Sequence, residues 1–230
     1  MKRILDILLS VKTAFYLFWV FVIIAFVGSV ELPGHLSFYS GIDEEPLFRW
    51  LSENQVLVRT WWIYGLIIAL ALIAINTIFC TTEALLKRVK GRNLITKLMP
   101  QLMHIGVLFV MLGHLVTASY SFRTEVDIKK GDFLSLPDGT KVQVLSVKEI
   151  LDEEGFPVDW IVTLKTPSGP LQAGPLRPVK VGAYTILAQA AEEDTAVLRA
   201  VQDPGAVWAL VGGIIICSAT LVFVISRRLT

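Results

Sequence analysis

Cysteine is almost missing from this chain: it occurs only at Cys80 and Cys217. Neither belongs to a C-x-x-C pair, which excludes a dithiol redox motif and a covalent haem-attachment site of the C-x-x-C-H type. Both fall within or at the edge of apolar runs, and Cys80 reads as a small apolar packing residue. Charge is also scarce. Only 18% of the residues are Asp, Glu, Lys or Arg, against about 25% in soluble domains. The formal net charge is +1 and no basic patch is visible, so nothing points to nucleic acid. Two acidic clusters, Asp152-Glu153-Glu154 and Glu192-Glu193-Asp194, have no base or metal ligand beside them in sequence. They read as solvated loop charges rather than as a reactive pair. Histidine is limited to three residues: His35, His104 and His114.

What the chain does have is apolar length. Hydrophobic residues make up 54% of it, and the mean hydropathy is +0.63. Four runs account for the excess, at about residues 14–30, 61–80, 98–119 and 207–225. Each approaches the ~20 residues a helix needs to cross the hydrocarbon core of a bilayer. Lipid offers no partner to a bare backbone, so runs of this kind must be helices. The first run follows Lys2, Arg3 and Lys12 as a signal peptide would. Its apolar stretch exceeds the usual 7–15 residues and no A-x-A-like site follows, so it is expected to be an uncleaved first span.

The distribution of Lys and Arg orients the spans. Lys2, Arg3 and Lys12 against Asp6, then Lys87, Arg88, Lys90, Arg92 and Lys97 against Glu83, then Arg227 and Arg228, mark three cytoplasmic segments. The connection 31–59 is the reverse, with Glu31, Asp43, Glu44, Glu45 and Glu53 against Arg49 and Arg59. It is expected outside, with segment 120–203, which leaves both termini in the cytoplasm. Trp19, Trp61, Trp62 and Trp208 lie near span ends, where an aromatic belt would sit.

Segment 120–203 reads as strands. Leu136-Pro137-Asp138-Gly139 is a hairpin signal between residues 133–136 and the alternating 142–145. Residues 159–165 and 183–188 give further β-rich runs. Pro167, Gly169, Pro170, Gly174, Pro175 and Pro178 forbid a long helix between them. The fold class is therefore membrane α-helical, with four transmembrane helices and a small extracytoplasmic β-rich domain, a sandwich or open barrel, between the third and fourth. The expected domains are a membrane region 1–119, the β domain 120–203, and a fourth span with a cytoplasmic tail, 204–230. In the first outer connection a short amphipathic helix is expected at about 45–57, starting near Pro46. His35 sits in a Pro33-Gly34-His35 turn, as a plain loop residue or an extracytoplasmic metal or haem ligand.

Chemistry concentrates in the third span. An ionisable residue at membrane depth marks a candidate functional site, and His104 and His114 both lie there. Ten residues separate them, which is ~15 Å along a helix and about 80° around it. They cannot be the two axial ligands of one haem, so any haem bound by either takes its opposite ligand from another helix or another protein. Alternatively, both imidazoles hydrogen-bond to neighbouring helices. Gly106 and Gly113 thin the helix beside them and permit close approach of a helix or a flat ligand. Gln101 lies one turn from His104.

These residues resemble a known family. Thr60-Trp61-Trp62-Ile63-Tyr64 with Asn76-Thr77-Ile78-Phe79-Cys80 is similar to the second helix of the ResB (CcsB) proteins of System II cytochrome c biogenesis. His104-Ile105-Gly106 with Leu112-Gly113 resembles their third helix. Pro175-Leu176 with Gly182-Ala183-Tyr184 resembles the end of their β domain. Asp203-Pro204-Gly205, Gly212-Gly213 and Arg227-Arg228 resemble their last span. The resemblance implies a haem-transport subunit of the bacterial or plastid-type inner membrane. It would bind haem b non-covalently and, with a CcsA-type partner, help deliver it to apocytochrome c. It implies His104 as a transmembrane haem-iron ligand, with the opposite ligand on the partner; His114 is a second cofactor-binding candidate from its position in the span alone. Thioredoxin-like thiol reductants of the same pathway join the expected partners. The chain is short for the family and lacks the partner's tryptophan-rich haem-handling segment, so a non-catalytic subunit of a haem lyase complex is expected rather than a complete synthase. Two other readings stay open. One is a b-type cytochrome subunit of a quinone-linked oxidoreductase; the other is a cofactor-free membrane scaffold.

The orientation is directly testable. With Cys80 and Cys217 replaced by alanine, a membrane-impermeant thiol reagent added from outside should label Asp152→Cys and leave Arg92→Cys unlabelled. The reverse pattern would invert every assignment of side made above.

Overall fold

The computed structural model describes residues 10–88 and 94–228. Lys2, Arg3, Asp6, Lys90 and Arg92, used above for orientation, lie outside the described residues, as do the side chains of Lys87, Arg88 and Arg228. The chain forms two compact units. A helical unit takes in the described residues up to Ile42, then Pro46–Tyr120, and those from Pro204 onward; a β unit takes in Asp43–Glu45 and Ser121–Asp203.

Among the described residues, five helices build the first unit: α1 (Val11–Gly34), α2 (Leu47–Glu53), α3 (Leu57–Arg88), α4 (Leu94–Tyr120) and α5 (Ala206–Arg228). Four are long and apolar enough to cross a membrane, over Val11–Gly34, Leu57–Leu86, Lys97–Tyr120 and Ala206–Arg227. Each runs past its apolar stretch, because an α-helix satisfies its own backbone and does not stop where polar side chains begin. The Pro33-Gly34-His35 turn is in fact the end of α1. Pro33 and Gly34 remain helical, and the His35 backbone N–H closes the helix on the Leu32 carbonyl at 3.2 Å. The short helix expected at about 45–57 is the seven-residue α2, with Pro46 as its N-cap.

α2 buries Trp50 at 1% exposure among the aromatic residues that follow α1. The Tyr39 ring stacks on Trp50 with centroids 6.0 Å apart, and Tyr39 Oη donates to the Arg59 carbonyl at 2.7 Å. Trp62 Nε1 donates to Tyr39 Oη at 2.9 Å. Trp62 is therefore a core residue, 8% exposed. A Cβ added at Gly28 of α1 would lie 2.5 Å from its Cζ3 atom. The aromatic belt read from sequence loses Trp62 for this reason, while Trp19, Trp61 and Trp208 remain exposed.

α4 and α5 meet backbone to backbone. A Cβ added at Gly106 would lie 2.8 Å from the Gly212 carbonyl oxygen and 2.7 Å from Ile216 Cγ1. One added at Gly113 would lie 2.6 Å from the Ala209 amide nitrogen and 2.8 Å from the Gly205 carbonyl oxygen. Gly106, Val110, Gly113 and Thr117 face Gly205, Ala209, Gly212 and Ile216 in antiparallel order. Both sets recur at alternating spacings of three and four, the seam period of a coiled coil. Small residues of this kind let membrane helices approach closely where no hydrophobic force drives them together. Of the two partners that Gly106 and Gly113 permitted, a helix or a flat ligand, the structure supplies the helix.

The β unit has two four-stranded antiparallel sheets, ordered β1-β8-β7-β6 and β2-β3-β4-β5. The strands are β1 (Phe122–Lys129), β2 (Phe133–Ser135), β3 (Lys141–Leu151), β4 (Pro157–Thr166), β5 (Gly169–Ala173), β6 (Val179–Val181), β7 (Tyr184–Glu192) and β8 (Thr195–Gln202). Alternate side chains such as Val142 and Val144, Val162 and Leu164, Ile186 and Ala188, and Leu198 and Ala200 turn inward to one shared core, each at 0% exposure. That period of two is the strand's own. The Pro-Asp-Gly hairpin joins β2 to β3, with Asp138 Oδ1 accepting from the Thr140 amide at 2.9 Å and Gly139 at φ +84°. Asp43–Glu45 belongs to this unit through the Arg123 amide, which donates to the Glu44 carbonyl at 2.9 Å.

The seam yields a paired prediction. A Cβ at Gly212 would meet the Gly106 carbonyl oxygen at 2.5 Å and the Val110 amide nitrogen at 2.7 Å, whereas one at Gly213 meets nothing within 4 Å. Gly212→Ala should destabilise the purified protein by about 1–3 kcal/mol, the usual toll of overpacking. Gly213→Ala should leave it unchanged or more stable by up to about 1 kcal/mol, through helix propensity alone. Thermal unfolding in detergent checks both, and equal effects at the two positions would remove the seam.

Candidate functional site

Around α4, at about 100° per residue, His104 lies about 160° from Gly106 and 180° from Gly113. The seam with α5 thus occupies one side of α4, and His104 stands on the other. Its side chain is exposed, not covered by the rest of its own chain. One atom of it is held nonetheless: His104 Nδ1 lies 3.3 Å from Oγ1 of Thr81 on α3. Thr81 is 5% exposed, one of the buried polar residues of this apolar unit.

The others are Thr60 and Asn76 on α3, 0% and 2% exposed, and Gln101 on α4, 8% exposed. Cys80 Sγ lies 4.0 Å from Asn76 Oδ1, so this thiol has a polar neighbour as well as apolar packing. Gln101 Oε1 is buried without a hydrogen-bond partner among the described residues. It sits one helical turn before His104. An orphaned acceptor in low dielectric costs about 1–3 kcal/mol, which makes the neighbourhood of His104 a place where polarity is retained against the interest of stability.

His114, the second candidate, is also exposed, and no hydrogen bond is found for it among the described residues. It is ten residues further along α4, about 80° round from His104 and ~15 Å along the axis. The two imidazoles therefore do not converge on one point. His35, the third, is fixed at its Nδ1, which lies 3.2 Å from the Glu31 carbonyl oxygen and 3.3 Å from Glu31 Oε1. Glu31 Oε1 also takes Arg59 Nη1 at 2.8 Å. The sequence counted Glu31 and Arg59 only as loop charges; the fold makes them an ion pair that His35 joins.

Neither acidic cluster acquires a partner for chemistry. Asp152 Oδ1 accepts the Glu154 and Phe156 amides at 3.0 and 2.8 Å, closing the turn between β3 and β4. Asp194 pairs at 3.7 Å with Lys130 beside the turn from β7 to β8. No three His, Cys, Asp or Glu side chains gather as a metal site among the described residues.

Haem iron can take an imidazole on either of its faces. His104 could take one of those positions: its Nδ1 lies 3.3 Å from Thr81 Oγ1 and the residue is exposed. His114 lies too far along the helix to supply the other.

Thr81 is the residue that sequence reasoning missed. It lies 23 positions before His104 and in no motif with it. The one available signal is a hydroxyl placed toward the end of an apolar run that also carries Asn76 and Thr77.

No protein-family model matches this chain, and no curated protein matches it. A solved structure described as Cytochrome c Heme Lyase CcmF is similar to part of it, with a TM-score of 0.47 and 16% sequence identity over 69% of this chain and 30% of that one. The chain therefore spans under a third of that protein's length.

Proposed function

We propose that this chain is a ResB/CcsB-type membrane subunit of a cytochrome c biogenesis complex. It holds haem b non-covalently within the membrane at His104 and helps export it for attachment to apocytochrome c. A CcsA-type protein, the partner in this reading, supplies the opposite iron ligand. Thioredoxin-like reductants keep the cytochrome thiols ready in the same pathway. The membrane is a bacterial or plastid-type inner membrane, with both termini cytoplasmic and the β unit extracytoplasmic. The chain itself makes and breaks no covalent bond.

The observation that supports this most directly is the setting of His104. Its imidazole is anchored at Nδ1 by Thr81 at 3.3 Å, while its side chain is exposed on the side of α4 away from α5. A histidine that served only to join helices would be covered by them. This one is held by a neighbour yet open to a group outside the chain, as a metal-binding imidazole with a hydrogen-bonded second nitrogen is. The order of spans and the motifs that resemble the ResB family supply the biological setting.

His104→Gly in the intact complex should abolish both haem retention and cytochrome c maturation, and added imidazole should partly restore both by filling the vacated position. His114→Gly should be milder. Haem content of the purified complex and a c-type cytochrome reporter measure the two effects. Haem retained in His104→Gly and lost in His114→Gly would exchange the roles of the two residues.

A further inference from the structure

His104 needs more than exposure to bind iron. A neutral imidazole carries one N–H, and only the bare nitrogen can act as ligand. Water sets the tautomer of a surface histidine, but in hydrocarbon that task falls to whatever polar group the protein supplies. Here that group is the Thr81 hydroxyl, buried on α3 and 3.3 Å from Nδ1. A hydroxyl can donate or accept, so the direction of this bond decides which nitrogen is bare.

Two other threonines of α3 use their hydroxyls differently. Thr60 Oγ1 donates to the Val56 carbonyl at 3.1 Å and Thr77 Oγ1 to the Ile73 carbonyl at 2.8 Å. This is the usual use of a threonine hydroxyl hydrogen within a helix, a bond to the carbonyl four residues back. Thr81 stands one turn beyond Thr77, but its Oγ1 has His104 Nδ1 as its hydrogen-bond partner. Iron held at Nε2 requires that nitrogen bare, so the ligand reading needs the hydrogen on Nδ1 and the Thr81 oxygen as acceptor.

We infer that Thr81 is the positioning residue of the His104 site. Its oxygen accepts the Nδ1–H of His104, which fixes the ring in the tautomer whose lone pair is on Nε2, and presents that nitrogen at the exposed surface of α4. The anchoring of the ring at Nδ1 follows from geometry; the tautomer and its use in holding iron rest on the function proposed above. Thr81 touches no ligand and acts only through the imidazole.

The test uses the full chain in detergent and three variants. Thr81→Val keeps shape and burial without the hydroxyl, Thr81→Ser keeps the hydroxyl, and His104→Gly removes the ring; Thr81→Ala stands in for Thr81→Val if the latter fails to insert. The first readout needs no haem. ¹⁵N NMR of the histidine side chains should show His104 protonated at Nδ1 in the parent and in Thr81→Ser, and shifted toward Nε2 protonation in Thr81→Val. An unchanged tautomer in Thr81→Val would overturn the inference. The second readout is haemin titration followed by absorption. Thr81→Val should weaken binding by roughly tenfold, the lower end of the effect of removing a partner behind a metal ligand, and Thr81→Ser should stay close to the parent. On the His104→Gly background, Thr81→Val should change nothing further. A loss as large on that background as on the parent would mean that Thr81 acts through packing, which overturns its positioning role. Undiminished haemin binding by His104→Gly alone would instead overturn the ligand assignment, and the NMR result would still decide the role of Thr81.

Discussion

The backbone contact between α4 and α5 governs much of what the helical unit can do. At Gly106, Gly113, Gly205 and Gly212 no room remains for a Cβ on the facing helix. Such a seam has little rotational tolerance, because turning α4 by even one residue would bring a side chain into carbonyl oxygens. The rotation of α4 is therefore fixed, and with it the direction of everything the helix carries. His104, about 160–180° from the seam glycines, is turned away from α5. It comes within reach of Thr81 on α3 and remains an exposed residue. The histidines of α4 are thus placed by glycines that touch no ligand.

The two units divide the work by composition. The helical unit holds all three histidines and both cysteines, together with the buried Asn76, Thr81 and Gln101. The β unit has a closed apolar core and carboxylates that serve turns: Asp138 and Asp152 cap backbone amides. Cap and turn bonds of this type contribute about 0.5–2 kcal/mol each to local structure. A carboxylate so used is a structural acceptor rather than a free acid or base. The β unit is accordingly a folded module whose surface, rather than its interior, is available for recognition.

Some of this was legible in the sequence and some was not. The four spans were, because an unbroken apolar run has only one stable form in lipid. The β2–β3 hairpin was, because Pro-Asp-Gly states its own backbone geometry. β1 and β8 were not singled out within the segment read as strands; their pairing, from Phe122 with Gln202 to Lys129 with Thr195, becomes visible only in the sheet. Trp62 was placed in an interfacial belt because position in a span is visible in sequence, whereas a vacancy at Gly28 on another helix is not. His104 stood out through rarity and depth. Thr81 did not, since what singles it out is a distance of 3.3 Å to a residue 23 positions away.

The central claim is that this chain holds haem inside the membrane through one imidazole and shares it with a second protein. An absorption spectrum of the full chain, purified once alone and once with a co-produced CcsA-type partner, tests it most directly. The account predicts a low-spin, bis-histidine b-type spectrum in the joint preparation, with the haem moving into solvent on acid extraction, and a weaker, incompletely ligated spectrum in the chain alone. A joint preparation that matures cytochrome c yet carries no haem in this chain's complex would contradict it.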